Sequence, residues 1–234
     1  MKMKSSEQSV RIQTSLLNGV ERKVLLWLAK RQPKWVDPDM LTLIGFIGAL
    51  VIAAGYILSN CNANYLWLAS LGFVINWYGD SLDGTLARYR KRQRPVYGFY
   101  LDHTMDAINE TIMFMGVGLS PFMRFDLSCI LLILYLMLTL NVAMNAHLRG
   151  EFRLTYAKLG PTEFRLICII ANTVLVFSQR LRTWAMELQW FSSRFELHIL
   201  DILGGFILLV LVLIYLVTII QDARYYAKTD PKNK

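Results

Sequence analysis

Apolar residues in this chain come in long blocks instead of alternating with polar ones, the pattern of helices that cross a bilayer. Six blocks approach the 18 to 24 residues needed to cross roughly 30 Å of hydrocarbon. They run from Leu41 to Leu58, Tyr65 to about Arg88, Gly98 to Leu119, Phe125 to Leu148, Pro161 to Phe177 and Ile199 to Ile220. The second and third are impure, because their apolar stretches run into a cluster of acids at one end. The fifth is short and carries Arg165 near its start. Ahead of the first block, Val10 to Lys34 is amphipathic, with Leu16, Leu17, Val20, Val24 and Leu28 on one stripe and most charges elsewhere. Such a helix either lies along the membrane surface or packs on the bundle. The expected fold is therefore an all-α integral membrane protein with six transmembrane helices preceded by an N-terminal amphipathic juxtamembrane helix. Its expected organisation is a cytoplasmic segment over 1–38, a membrane domain over 39–222 and a cytoplasmic tail over 223–234. Between the last two blocks, Arg180 to Glu196 holds Trp184, Trp190, Phe191 and Phe195 and reads as an aromatic interfacial loop on the far side.

Composition agrees: 55% of the 234 residues are hydrophobic and only 18% are charged. The Met1 to Arg11 stretch has no apolar core, so no cleaved signal peptide is expected and the first span serves as its own insertion signal. With six spans, both termini and the loops after spans two and four share a side. That side carries 21 of the 25 Lys and Arg residues, leaving Arg124, Arg180, Arg182 and Arg194 opposite. The positive-inside rule then places both termini in the cytoplasm, in a chain expected at the bacterial inner membrane. Cys61, Cys129 and Cys168 lack metal-ligand spacing and read as small core residues. Nucleic acid is not an expected partner.

Four acids break the apolar pattern. Asp80, Asp83, Asp102 and Asp106 fall within 27 residues, although a lone acid near a bilayer centre costs about 2.5 to 3.5 kcal/mol on the mildest scale. Asp80 and Asp83 are three apart and Asp102 and Asp106 four apart, so on helices each pair shares a face. The short basic connection makes the two helices antiparallel neighbours, and the pairs can meet at the cytoplasmic end. Four oxygen donors suit hard divalent cations such as magnesium or manganese. They are enough for two ions about 3.5 to 4 Å apart, an arrangement suited to phosphoryl displacement. Gly84 lacks a side chain, which points to close approach of something to the backbone, and Arg88 offers a fork suited to phosphate.

These residues resemble the signature of the CDP-alcohol phosphotransferases, D-x2-D-G-x2-A-R followed after about eight residues by G-x3-D-x3-D. Asp80, Asp83, Gly84, Ala87, Arg88, Gly98, Asp102 and Asp106 fill all eight positions. The spacer from Arg88 to Gly98 is one residue longer than usual. Pro38 to Thr42 is similar to the P-N-x-x-T run that opens the family's first span, with Asp39 in place of the commoner Asn. The resemblance implies a magnesium held by Asp80, Asp83 and Asp102 and a second by Asp80, Asp102 and Asp106, with Asp106 also the general base. It further implies CDP contacts from Gly84, Ala87 and Arg88, closed over by Asp39 and Thr42. The implied partners are a CDP-linked lipid entering sideways at the cytoplasmic leaflet, a small alcohol acceptor and membrane lipids, with homodimerisation common in the family.

Acceptor identity rests on weaker signals. Arg149, Arg153, Lys158 and Arg165 cluster at the cytoplasmic ends of spans four and five, either as membrane anchors or, for Arg153, Lys158 and Arg165, as an anionic-acceptor site. The run from Lys158 to Arg165 looks like the segment opening the fifth span in family members that use inositol phosphate. Asp102-His103 instead resembles the choline and ethanolamine phosphotransferases. The favoured expectation is transfer of a phosphatidyl group from CDP-diacylglycerol to a polyol or phosphorylated alcohol, with CMP released. An aminoalcohol phosphotransferase using CDP-choline or CDP-ethanolamine is the alternative. Outside the enzyme class, a divalent-cation transporter explains the aspartates but leaves Gly84, Ala87 and Arg88 idle.

Overall fold

The computed structural model describes residues 10–12, 17–149, 151–153, 160–190 and 193–230. Eight helices dominate these residues: α1 Asn18–Arg31, α2 Pro38–Leu58, α3 Leu66–Tyr89, α4 Pro95–Gly118, α5 Phe125–Arg149, α6 Pro161–Phe177, α7 Gln179–Arg182 and α8 Ile199–Thr229. Four short strands join them: β1 Val10–Ile12, β2 Glu151–Arg153, β3 Ala185–Trp190 and β4 Ser193–His198. The six long helices α2 to α6 and α8 stand where the six apolar blocks place them. Proline occupies the first position of α2, α4 and α6, where its fixed φ suits a helix start and its missing N–H costs nothing.

Three helices are long and apolar enough to cross a membrane on length and composition: α2, α5 over Phe125–Asn145, and α8. Among the others, α3 and α4 carry acids and α6 has only 17 residues. The outward surfaces of α2, α3, α5 and α8 are apolar, with Leu43, Ile47, Leu71, Val74, Ile130, Ile133, Phe206 and Leu209 all exposed. A molecule that turns aliphatic side chains outward on several helices is a membrane protein.

The closest helix pair is α2 with α3, and small residues make it so. Gly45, Gly48 and Gly55 on α2 face Gly79, Asn76 and Ala69 on α3, and a Cβ on any of these glycines but Gly45 would overlap backbone across the interface. Asn76 Nδ2 fastens the pair by donating to Gly45 O at 2.9 Å. Two apolar clusters flank this seam. One gathers Ile52, Tyr56, Leu66, Phe73, Phe122 and Leu175 towards the end bearing α7; the other gathers Leu25, Ala29, Val36, Leu41, Leu82 and Leu86 at the α1 end.

The N-terminal segment differs from its expectation. The helix starts at Asn18, while Val10–Ile12 is a strand pairing in parallel with Glu151–Arg153. Residues 13–16, and with them Leu16, lie outside the described residues. The face turned to the bundle carries Leu25 and Ala29, and Val20, Val24 and Trp27 are exposed. Apolar residues on both sides of α1 hide which one packs. Its docking is polar as well: Glu21 Oε1 accepts from Trp77 Nε1 at 2.9 Å and from Thr162 Oγ1 at 2.6 Å. Glu163, buried at the start of α6, accepts from Leu17 N at 2.8 Å and from Gly160 N at 3.0 Å.

The aromatic loop expected over Arg180 to Glu196 is a short helix and an antiparallel hairpin, with Met186 paired to Leu197 and Glu187 to Glu196. Beneath it Asp201, buried at the start of α8, accepts from Arg124 N at 2.7 Å and His198 N at 2.8 Å. Asp201→Ala leaves two N–H groups without an acceptor at about 1 to 3 kcal/mol each where buried. It is expected to lower the thermal midpoint in detergent, and an unchanged midpoint refutes this clamp.

Candidate functional site

Asp80 on α3 and Asp102 and Asp106 on α4 each bring a carboxylate oxygen within 4.8 Å of the others. The local chain explains why. Asp102 and Asp106 are one turn apart on one face of α4, and a five-residue turn, 90–94, links α3 to α4. The two helices are not the packed neighbours expected from the short connection: α4 packs against α2 and α5, and α2 lies against both α3 and α4. Lys91 there has φ 55°, and Arg92 N donates to Ala87 O at 3.0 Å. This is the Schellman way of ending a helix, with Lys in the left-handed position glycine usually fills. The extra residue between Arg88 and Gly98 lies in the stretch that contains this turn, and Asp80 still meets Asp102 and Asp106.

Asp83 stands apart from that trio. Its Oδ2 accepts from Thr42 Oγ1 at 2.7 Å, across the α2–α3 seam, and its Oδ1 accepts from Gly84 N. Asp39 is turned to the 90–97 segment, accepting from Arg94 Nη1 at 3.2 Å while the Arg94 guanidinium stacks on Tyr97. Thr42 and Asp39 thus meet different partners, one inside the seam and one at its rim. Above Gly84 the nearest group is the Arg88 guanidinium, where a Cβ would lie 3.3 Å from Nη1. Arg88 is exposed and bonds Thr85 Oγ1 at 3.1 Å, and Ala87 is partly exposed beside it. Nothing lies within 4 Å of a Cβ built on Gly98.

Of the basic residues proposed from sequence for the acceptor, Arg165 lies inside the cluster and not at its rim. Its Nη2 pairs with Asp80 Oδ2 at 2.5 Å and its Nε donates to Asn76 Oδ1 at 3.1 Å. Arg153 lies on β2, its side chain outside the described set, and Lys158 lies outside the described residues. His103 is held on its own helix, with Nδ1 2.9 Å from Phe99 O and its ring stacked on Phe99.

Asp80, Asp102 and Asp106 offer converging carboxyl oxygens, with Asp83 beside them. Oxygen donors of this kind fit one or more hard divalent cations.

Residues 35–195, more than half of the chain, match the family model described as CDP-alcohol phosphatidyltransferase. The chain belongs to this family. All eight signature positions from Asp80 to Asp106 fall within the matched stretch. The chain is 28% identical over 137 residues to an archaetidylinositol phosphate synthase of Pyrococcus horikoshii, covering 58% of this chain and 69% of that protein. It is 36% identical over 84 residues to a phosphatidylinositol phosphate synthase of Cutibacterium acnes, covering 36% and 38%. With cholinephosphotransferase 1 of Danio rerio the identity is 24% over 192 residues, covering 77% and 49%. The chain thus spans about half the length or less of the last two. CDP-alcohol phosphatidyltransferases are enzymes of phospholipid synthesis, which sets the cation-transporter alternative aside.

Two residues beside this family's signature went unread in the sequence. Asn76 sits one turn before Asp80 and orients Arg165. Glu110 sits one turn after Asp106, with Asp80 and Arg165 as its charged neighbours. Asn76 extends the row of polar side chains on α3 and Glu110 the row of acids on α4, each by one helical turn, and that four-residue spacing was the available signal.

Proposed function

We propose that this CDP-alcohol phosphatidyltransferase moves a phosphatidyl group from CDP-diacylglycerol to a small polyol or phosphorylated alcohol, such as inositol phosphate or glycerol phosphate, and releases CMP. The observation carrying this is the meeting of Asp80 of α3 with Asp102 and Asp106 of α4 within 4.8 Å. Asp80, Asp83 and Asp102 would hold one magnesium and Asp80, Asp102 and Asp106 a second, with manganese able to substitute. Bound there, such ions supply charge neutralisation of the donor diphosphate. Thr42 keeps Asp83 turned towards the seam. Gly84, Ala87 and Arg88 form the open face that receives the CDP moiety, with Asp39 and Thr42 at its α2 edge. Asp106 takes the proton of the acceptor hydroxyl as its oxygen bonds to the β-phosphorus and the bond to CMP breaks, a step that positioning accelerates.

Arg153, Lys158 and Arg165 are proposed to attract an anionic acceptor. In this reading all six long helices span the membrane, α1 lies at its cytoplasmic surface, and both termini and the site are cytoplasmic in a bacterial inner membrane. The organisation is then 1–38, 39–222 and 223–234, as expected from sequence. Neither the matched relatives nor the single chain lends support to a homodimer, and none is proposed.

A second reading, an aminoalcohol phosphotransferase with a lipid acceptor, is favoured by His103 beside Asp102, with Nδ1 and Oδ2 3.8 Å apart, and by the cholinephosphotransferase likeness. Purified protein in lipid nanodiscs, offered CDP-diacylglycerol with inositol phosphate or glycerol phosphate and, separately, CDP-choline or CDP-ethanolamine with diacylglycerol, separates them. CMP release is expected with the first donor alone, abolished by chelator and restored by magnesium or manganese. Release only with the second donors establishes the second reading. No CMP from any donor overturns both.

A further inference from the structure

The acids of α4 do not end at Asp106. Positions 102, 106 and 110 share one helix face, so Glu110 lies one turn farther along α4 from the loop end than the carboxylates that meet Asp80. Its Oε2 is shut off from solvent and meets no hydrogen-bond partner among the described residues. Next to it Asn109 is 5% exposed, and its Oδ1 is likewise buried without a partner. Facing these acids from α5 is Tyr135, whose charged neighbours are Glu110, Asp106, Arg165 and Asp80, and Phe114 backs its ring at 6.3 Å between centroids. Arg165 itself is engaged by Asp80 and Asn76.

A buried carboxylate oxygen without a donor is costly. It persists where a ligand brings the donor. Two kinds of ligand group could do so, an ammonium or a hydroxyl. An ammonium can only donate, and it would share the pocket with the Arg165 guanidinium. A hydroxyl both donates and accepts, so it can satisfy Glu110 while taking a hydrogen bond from the Tyr135 phenol or an Arg165 N–H. The mixed surroundings favour the hydroxyl.

We infer that Glu110 is a specificity-determining residue that accepts a hydrogen bond from a second hydroxyl of a polyol acceptor, while Asp106 faces the hydroxyl that reacts. This rests on the transferase reading above and deepens it. Side chains one turn apart have Cβ atoms about 5 to 6 Å apart, so the recognised hydroxyl stands two or three carbons from the reacting one. A polyol offers such a hydroxyl and diacylglycerol does not.

The test uses the full chain in nanodiscs with magnesium and saturating CDP-diacylglycerol. Inositol phosphate and glycerol phosphate are varied, along with singly deoxygenated forms of whichever is accepted. Glu110→Gln is expected to raise the acceptor KM about tenfold, the effect of losing one charge-assisted hydrogen bond, leaving the donor KM and the magnesium requirement unchanged. Wild type should lose a similar factor on one deoxygenated acceptor, to which the variant is indifferent. Thermal shift with acceptor alone should show the same weakening without turnover. Glu110→Asp, which keeps the charge on a shorter arm, is expected to fall between the two and carries the test if the Gln variant does not fold. A wild-type acceptor KM in the variants overturns the proposal, as does a donor KM or magnesium requirement that moves with it. Selective loss of CDP-choline turnover would assign an ammonium instead and overturn it too. If wild type releases no CMP from any donor, the transferase reading falls and takes this proposal with it.

Discussion

Asp106→Asn is expected to release CMP at least 100-fold more slowly than wild type at saturating donor and acceptor. Asn keeps the size and one oxygen of the side chain, so packing on α4 is preserved. The loss is chemical. General-base catalysis is worth about 10² to 10⁴ in rate, and an amide cannot take the acceptor's proton. The same carboxylate is one of three whose oxygens lie within 4.8 Å, so weaker cation binding is expected as well. A magnesium titration separates the two effects: excess magnesium recovers the binding share and leaves the proton-transfer share. A variant that keeps more than a tenth of the wild-type rate in single-turnover CMP release removes Asp106 from the role of base.

Gly79→Ala is expected to be the most damaging single-methyl change in the membrane body. A Cβ there would lie 2.6 Å from Gly45 Cα and on the backbone of Leu41 and Gly45, none of which can rotate away. Relief requires α3 to move off α2. Overpacking of this kind costs about 1 to 3 kcal/mol, and a chain of this size loses about 2 to 4 °C per kcal/mol. The damage reaches the site because Asp80 follows Gly79 directly and the Thr42–Asp83 bond spans the same seam. Activity should therefore fall below that of wild type even well under the new midpoint. Gly98→Ala is the matched control. It adds the same methyl to a helix where nothing lies within 4 Å, so the thermal midpoint should hold or rise by the helix propensity of alanine, worth up to about 1 kcal/mol. Equal midpoints for wild type and Gly79→Ala refute the tight seam.

Much of this molecule is written in local signals. Hydropathy blocks placed the six long helices, because spanning length depends on neighbours in sequence. The aspartate spacing placed three carboxylates together for the same reason: faces of single helices, joined by one short turn, are readable without knowing the rest of the fold. Whatever depended on contacts between distant segments was not. Arg165 meets Asp80 across 85 positions, and no periodicity announces that pairing. The packed face of α1 was not legible because Val20, Val24 and Trp27 make its exposed side as apolar as the side bearing Leu25 and Ala29. The hairpin over 185–198 was read as a loop because its aromatic content masked the alternation along each strand. Glu110 was overlooked at the edge of an apolar stretch that begins with Thr111, although it continues the four-residue step of the acids before it.

Glu21 deserves a mechanical reading. Its single Oε1 holds Trp77 and Thr162, and each of these stands three residues before a member of the Asp80–Arg165 pair. The helix at the edge of the molecule is thereby a tie-rod between the two arms of the site. One carboxylate oxygen on the outermost helix therefore bridges α3 and α6 within a turn of the Asp80–Arg165 contact, so α1 is anchored to both helices that carry that pair.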